Sequence, residues 1–363
     1  MTTDPPSSSF PDNLATLAIP NAVGNGRFVL GRTLGVGGAA AVLVAKDTAL
    51  DLERAVKILR VDHAAIRERF LAEARALARI RHPNVLRVMD YGETDGTPWM
   101  VMDLASGGTL AHRLQDGAFH PVDACQLMFE IIAGVAAIHD CGFVHRDIKP
   151  SNVLLGPDDE VWVGDLGVIS GSEKLVRRQW KTSGALGTVG YQSPELRADA
   201  KSADLRSDIY ALGATLWAVL TARAPIDLSV VDLRPELLER LPLAFRAIAV
   251  RATRRDPALR YASCEEMARD IAQLHATLDP GAPSVAMAMK AFARLRRRSG
   301  HSESAEVNEG PLTMSPQSAL PRLDSVKPSS APSALWSSMA PLLWAAVGAA
   351  MVLVVVFTVA WLL

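Results

Sequence analysis

The octapeptide His145-Arg146-Asp147-Ile148-Lys149-Pro150-Ser151-Asn152 constrains this chain more than any other stretch, because it puts a carboxylate, an ammonium and an amide into one short loop. From that loop Asp147 can orient and deprotonate a hydroxyl, Lys149 can neutralise a phosphate, and Asn152 can hold a metal through its carbonyl oxygen. The set suits phosphoryl transfer. Each residue alone is an ordinary solvated side chain; the ordered run carries the reading.

Composition narrows the field. The formal charge of −1 gives no sign of a polyanion-binding surface, so no nucleic-acid partner is expected. Cys125, Cys141 and Cys264 are odd in number and lack metal-ligand spacing, which suggests free thiols in a reducing compartment. Met1 to Pro20 has neither the basic start nor the apolar core of a signal peptide. With 363 residues the chain can form one large two-lobed domain or two ordinary ones.

Upstream of the octapeptide, an extended pattern over Arg27 to Leu34 runs into Gly35-Val36-Gly37-Gly38-Ala39-Ala40-Ala41-Val42. Glycines let a hairpin backbone lie close over phosphate oxygens, although alone the run fits a plain turn equally well. In the strand-like run Glu53 to Leu59, period-two alternation puts Ala55 and Lys57 on one face. The helical spacing of Ile66, Phe70, Ala74 and Leu77 predicts a helix over about Ala65 to Ile80, with Glu73 bordering the apolar stripe and Glu68 farther round. A carboxylate at the stripe faces inward and needs a cation. Val85 to Tyr91 and Thr97 to Met102 read as strands, and Pro121 to Asp140 as a helix buried on a broad face. Short strands are expected over Val153 to Leu155 and Val161 to Val163, followed by Asp165-Leu166-Gly167.

The octapeptide resembles the catalytic loop of the protein kinases, His-Arg-Asp followed by Asn, and Lys149-Pro150 resembles the serine/threonine branch. The glycine run is similar to the family's nucleotide loop except that Ala40 replaces the third glycine. Lys57 matches the Val-Ala-Ile-Lys strand, Asp165-Leu166-Gly167 the Asp-Phe-Gly motif with Leu for Phe, and Ser193-Pro194-Glu195 the Ala-Pro-Glu motif. The resemblance covers residues 28 to 277, and its wording is that of the bacterial eukaryotic-like (Hanks-type) kinases.

It implies an α+β, bilobal protein-kinase-like fold, with a small antiparallel β lobe and a larger helical lobe. It also implies Mg-ATP (Mn2+ being the alternative metal) and transfer of the γ-phosphoryl to protein Ser/Thr hydroxyls. Asp147 would be the base, Lys149, Lys57 and Glu73 would manage phosphate charge, and Asn152 and Asp165 would hold metal. The nucleotide would lie against Leu34 to Val42 (Leu34, Gly35, Val36, Gly37, Gly38, Ala39, Ala40, Ala41, Val42), Ala55 and Leu154, with the backbone of Asp103 and Ala105 bonding adenine and Met102 as gatekeeper. Between Asp165 and Glu195, Thr182 and Ser183 are the candidate phosphosites, with Arg146 to receive the phosphate, and Thr188 would help position substrate. Asp208 would bond the catalytic-loop backbone and Arg260 would pair with Glu195.

From Leu342 to Leu363 the chain has no charged residue, and as a helix it would span about 33 Å, enough for a bilayer's hydrocarbon. The expected organisation is a disordered leader over 1–26, a kinase domain over 27–278, a flexible linker over 279–340 and a transmembrane helix over 341–363. The kinase domain would then be cytoplasmic on a single-pass protein of the cell membrane, with protein substrates and room for a self-phosphorylating homodimer. Three other readings stand beside it: a pseudokinase, pointed to by Ala40, Leu166 and Ser193; a small-molecule phosphotransferase sharing the fold, against which Lys149, the Gly187 to Glu195 run and Arg260 argue; and a membrane adaptor whose linker recruits partners, which is compatible with kinase activity.

Overall fold

The structure, a computed structural model, describes residues 17–166, 189–199, 202–230 and 234–299. Gly167 of the Asp165-Leu166-Gly167 run, the candidate phosphosites Thr182 and Ser183, Thr188, the leader up to residue 16, the expected linker beyond residue 299 and the expected 341–363 helix lie outside the described residues.

The first lobe is an antiparallel sheet of six strands in the order β1-β2-β3-β4-β6-β5. They are β1 Ala22–Val23, β2 Phe28–Val36, β3 Ala40–Asp47, β4 Leu52–Leu59, β5 Val88–Thr94 and β6 Thr97–Met102. Hairpin turns set the register. Between β5 and β6, Asp95 (φ 49°) and Gly96 (φ 77°) both adopt the left-handed region that a two-residue hairpin requires. The sheet buries both faces, so β4 alternates between two cores: Val56 and Ile58 join Phe28 and Trp99, whereas Ala55 and Leu59 join the main core. Helix α1, Ala64–Arg79, buries Ile66, Phe70, Glu73, Ala74 and Leu77, and leaves Glu68 exposed as its position on the helical wheel requires.

The second lobe is helical. Helix α2 (Leu110–Arg113) leads to α3 (Pro121–Asp140), and after the catalytic loop come α4 (Pro194–Ala198), α5 (Leu205–Thr221), α6 (Leu243–Ala252) and α7 (Cys264–Leu278). Most of α3 and nearly all of α5 are buried, which is why both are apolar almost all round. Among the described residues α3 alone is long and apolar enough to cross a membrane, and its burial in the helical core accounts for that composition. A small sheet, β7 (Gly108–Thr109), β8 (Val153–Leu155) and β9 (Val161–Val163), lies between the lobes' segments and carries the chain from the octapeptide to Asp165.

Two boundaries differ from expectation. The stretch assigned to the leader reaches into the sheet, because Ala22 and Val23 pair with Val29 and Phe28 and buried Val23 sits beside Phe28 and Trp99. The stretch assigned to a flexible linker from residue 279 begins instead with a packed helix, α8 (Val285–Ser299), in which Phe292 is fully buried against α3. Its Ala-rich, charge-rich composition resembles a linker, but an apolar stripe at helical spacing gives it a surface to bury.

Candidate active site

Lys57 projects from β4 and is shared by two carboxylates. Its Nζ lies 3.1 Å from Glu73 Oε1 on α1 and 2.7 Å from Asp165 Oδ1. Burial works against the ammonium, but Asp165 and Glu73 more than offset it and hold the Lys57 pKa above its ordinary value. Burial pushes Glu73 up, to about 7, with Lys57 opposing. Asp165 moves the other way, lowered chiefly by the Lys57 charge. It reaches this position because its backbone is left-handed, φ 52°, turning the carboxylate towards Lys57 while the next residue, Leu166, enters the main core.

The octapeptide is held from below and tied within itself. Fully buried Asp208, in the first turn of α5, accepts the N–H of His145 (2.7 Å) and of Arg146 (2.8 Å), and His139 Nε2 lies 2.8 Å from it. Burial opposes a charge on His139, but the bond to Asp208 and then the contact with Cys264 raise its pKa to about 10, so an imidazolium faces the carboxylate. His145 Nε2 contacts the Gly164 carbonyl at 3.0 Å, linking the loop to the strand end that presents Asp165. Arg146, φ 67°, supplies the reversal that lets neighbouring side chains diverge.

Within the loop, Lys149 Nζ donates to both Asp147 oxygens (3.0 and 2.8 Å), and Asn152 Nδ2 donates to the Asp147 carbonyl (2.7 Å) and carboxylate (2.9 Å). With its amide nitrogen engaged, Asn152 has its Oδ1 left to offer a cation. That oxygen and the Asp165 carboxylate are hard donors of the kind Mg2+ prefers, and two protein ligands are enough when phosphates and water complete the shell.

The glycine loop is the β2–β3 hairpin. Gly35 pairs with Val42 and Val36 with Ala41, and the Gly37 N–H donates to the Ala40 carbonyl at 2.8 Å. Leu34 and Gly38 are exposed, and half-buried Ala39 packs against the main core. Ala40 is already part of β3, a conformation any residue adopts, so the extra methyl is accommodated. Ala55, Val42 and Leu154 border the main core, and Ala55 pairs with Met102, immediately before Asp103 and Ala105. Asp103 is held by an ion pair with Arg54 at 2.8 Å, which sequence spacing did not reveal.

Arg260 is 3% exposed and makes a bidentate bond to Glu195 of α4 at 2.6 and 2.9 Å. Burial would raise the Glu195 pKa, but Arg260 wins and depresses it to about 2. Ser207 Oγ adds a third bond to the same carboxylate at 2.9 Å. Ser193 caps α4 by accepting the Leu196 N–H at 3.4 Å, so the hydroxyl in place of a methyl has a structural use.

A model of the protein kinase domain matches residues 28–273. The chain belongs to the protein kinase family. Its kinase domain is 36% identical over 263 residues to serine/threonine-protein kinase PrkC of Bacillus subtilis, covering 68% of this chain and 40% of that one. It is 34% identical over 288 residues to serine/threonine-protein kinase PksC of Streptomyces coelicolor, covering 73% and 52%. The chain therefore spans about half the length of these relatives, or less. Among solved structures the kinase domain of Mycobacterium tuberculosis PknI superposes with a TM-score of 0.55 at 25% identity, over 71% of this chain and 99% of that domain. The bacterial serine/threonine kinases are thus the branch it resembles, and the kinase fold is the one expected from its motifs.

Proposed function

We propose that this chain is an active serine/threonine protein kinase, anchored in the cell membrane by residues 341–363 with its kinase domain in the cytoplasm. The observation that carries the catalytic part is the convergence of Lys57, Glu73 and Asp165 beside a catalytic loop already tied together through Asp147. In this reading Asp147 accepts the proton of a protein hydroxyl as the hydroxyl oxygen attacks the γ-phosphorus of ATP, the bond from that phosphorus to the β–γ bridging oxygen breaks, and ADP leaves. Lys149, now on Asp147, neutralises charge on the transferred phosphoryl, and Lys57, oriented by Glu73, binds the α and β phosphates. Asn152 and Asp165 would hold Mg2+, which when bound screens the phosphate charges. Catalysis then rests on positioning and on charge placed in advance.

The departures from the family pattern favour activity over a pseudokinase. Ala40 continues a strand, Leu166 fills the core and Ser193 caps a helix, and none removes a charge the chemistry needs. Arg146 Nε is buried with no partner among the described residues, which suits it to a phosphate on Thr182 or Ser183. The anchor rests on the uncharged run from Leu342 to Leu363. Protein substrates and a self-phosphorylating dimer belong to the same proposal.

Full-length protein incubated with Mg-ATP and analysed by mass spectrometry, beside Asp147→Asn and Lys57→Met, tests the catalytic reading. Phosphate on Thr182 or Ser183 in the parent alone is the expected result. ATP binding without phosphate on the chain or on a generic protein acceptor would favour the pseudokinase.

A further inference from the structure

Helix α8 lies beyond the residues matched by the kinase family model. Ser284 Oγ accepts the Met287 N–H at 3.4 Å and starts the helix. Met289, Phe292 and Leu295 then face α3 and α7, while Met287, Lys290 and Arg294 are exposed. Phe292 meets Phe129 of α3 edge-on, with ring centroids 5.6 Å apart.

Arg296 ends this contact in a particular place. Its Nε and Nη2 bond the two oxygens of Asp140, the last residue of α3, at 2.7 and 2.5 Å, and its Nη1 reaches Glu265 of α7 at 3.1 Å. Both carboxylates adjoin groups that touch or precede the same imidazole. Asp140 follows His139 in the chain, and Glu265 follows Cys264, whose Sγ lies 3.6 Å from His139 Nδ1. The other nitrogen of His139 contacts Asp208, which holds the N–H groups of His145 and Arg146. One guanidinium on an added helix therefore holds the chain neighbours of His139 and Cys264, the two residues whose polar contacts run through Asp208 to the catalytic loop.

We infer that α8 is a working part of the catalytic domain and that Arg296 is a positioning residue for the catalytic loop. Clamping Asp140 and Glu265 fixes the last turn of α3 against the first turn of α7. His139 is thereby kept on Asp208, and Asp208 on the two loop amides. The alternative is that α8 only covers apolar surface, in which case Arg296 contributes to stability and to nothing at the loop. The effect on phosphate transfer rests on the function proposed above; the effect on loop order does not.

The test uses the full-length protein and two readouts, amide hydrogen exchange at His145 and Arg146 and steady-state phosphorylation of a generic acceptor. Arg296→Ala, and Asp140→Asn from the opposite side of the contact, should speed exchange at those amides and lower kcat by about three- to tenfold, with KM for ATP unchanged. Arg296→Lys should recover part of both, and Lys290→Ala, on the exposed face, should change neither. A lower melting temperature in Arg296→Ala and Asp140→Asn with parental exchange at His145 and Arg146 overturns the inference. If the parent transfers no phosphate the kinase reading fails instead, and the exchange readout alone decides this one.

Discussion

Lys57 illustrates how a single side chain depends on its neighbours. Buried ammonium groups are costly, and this one stays charged because two carboxylates from distant elements converge on it. Glu73→Gln keeps the shape but removes one of those charges, leaving Lys57 to follow Asp165 alone. A fall of tenfold or more in kcat/KM for ATP, about 1.4 kcal/mol or more of transition-state stabilisation, is expected from steady-state kinetics. His139 carries a second prediction. Its pKa of about 10 in the folded chain lies above the ordinary histidine value, so the pair with Asp208 contributes fully below about pH 6.5 and is lost as pH rises towards 10. Urea midpoints of the parent should fall across that range, and His139→Gln should lose that slope; parallel slopes would show that the pair contributes nothing.

At the scale of elements, close approach decides residue choice where propensity would choose otherwise. Gly134 sits inside α3, where alanine would ordinarily stabilise a helix by about 1 kcal/mol. Here a methyl group would overlap the Asn84 carbonyl, which already accepts the Val163 N–H of β9 at 2.9 Å. Moving that carbonyl would break the bond holding the strand that delivers Asp165. Gly134→Ala should therefore destabilise by about 1–3 kcal/mol in chemical unfolding, the reverse of the helix-propensity effect, and should lower activity as well. Gly190 meets the same constraint against the Pro225 carbonyl, at the junction that leads into α4.

For the whole molecule the consequential boundary is the end of the folded unit. The family model stops at residue 273 and the expected kinase domain at 278, yet α8 continues the packing to Ser299. A soluble form for the anchoring experiment should accordingly end after α8. The full chain is expected to remain with membranes after alkaline washing and a chain ending after Ser299 to be released. Release of the full chain by the same wash would remove the proposed anchor.

Much of this protein was legible in its sequence because the informative patterns are local. The octapeptide, the Lys57 strand and the Asp165 turn each place their chemistry within a few adjacent residues, and alternation of period two or spacing of three and four located β4, α1 and α3 nearly to their ends. Tertiary structure alone decided what those patterns meet. Glu73 and Asp165 share one ammonium, Cys264 touches His139, Arg54 holds Asp103, and an arginine-rich stretch read as a linker docks through Phe292 and Arg296. Those partnerships join residues far apart in the chain, and they form only because burying apolar faces brings the elements together and leaves each buried charge to find its counterpart.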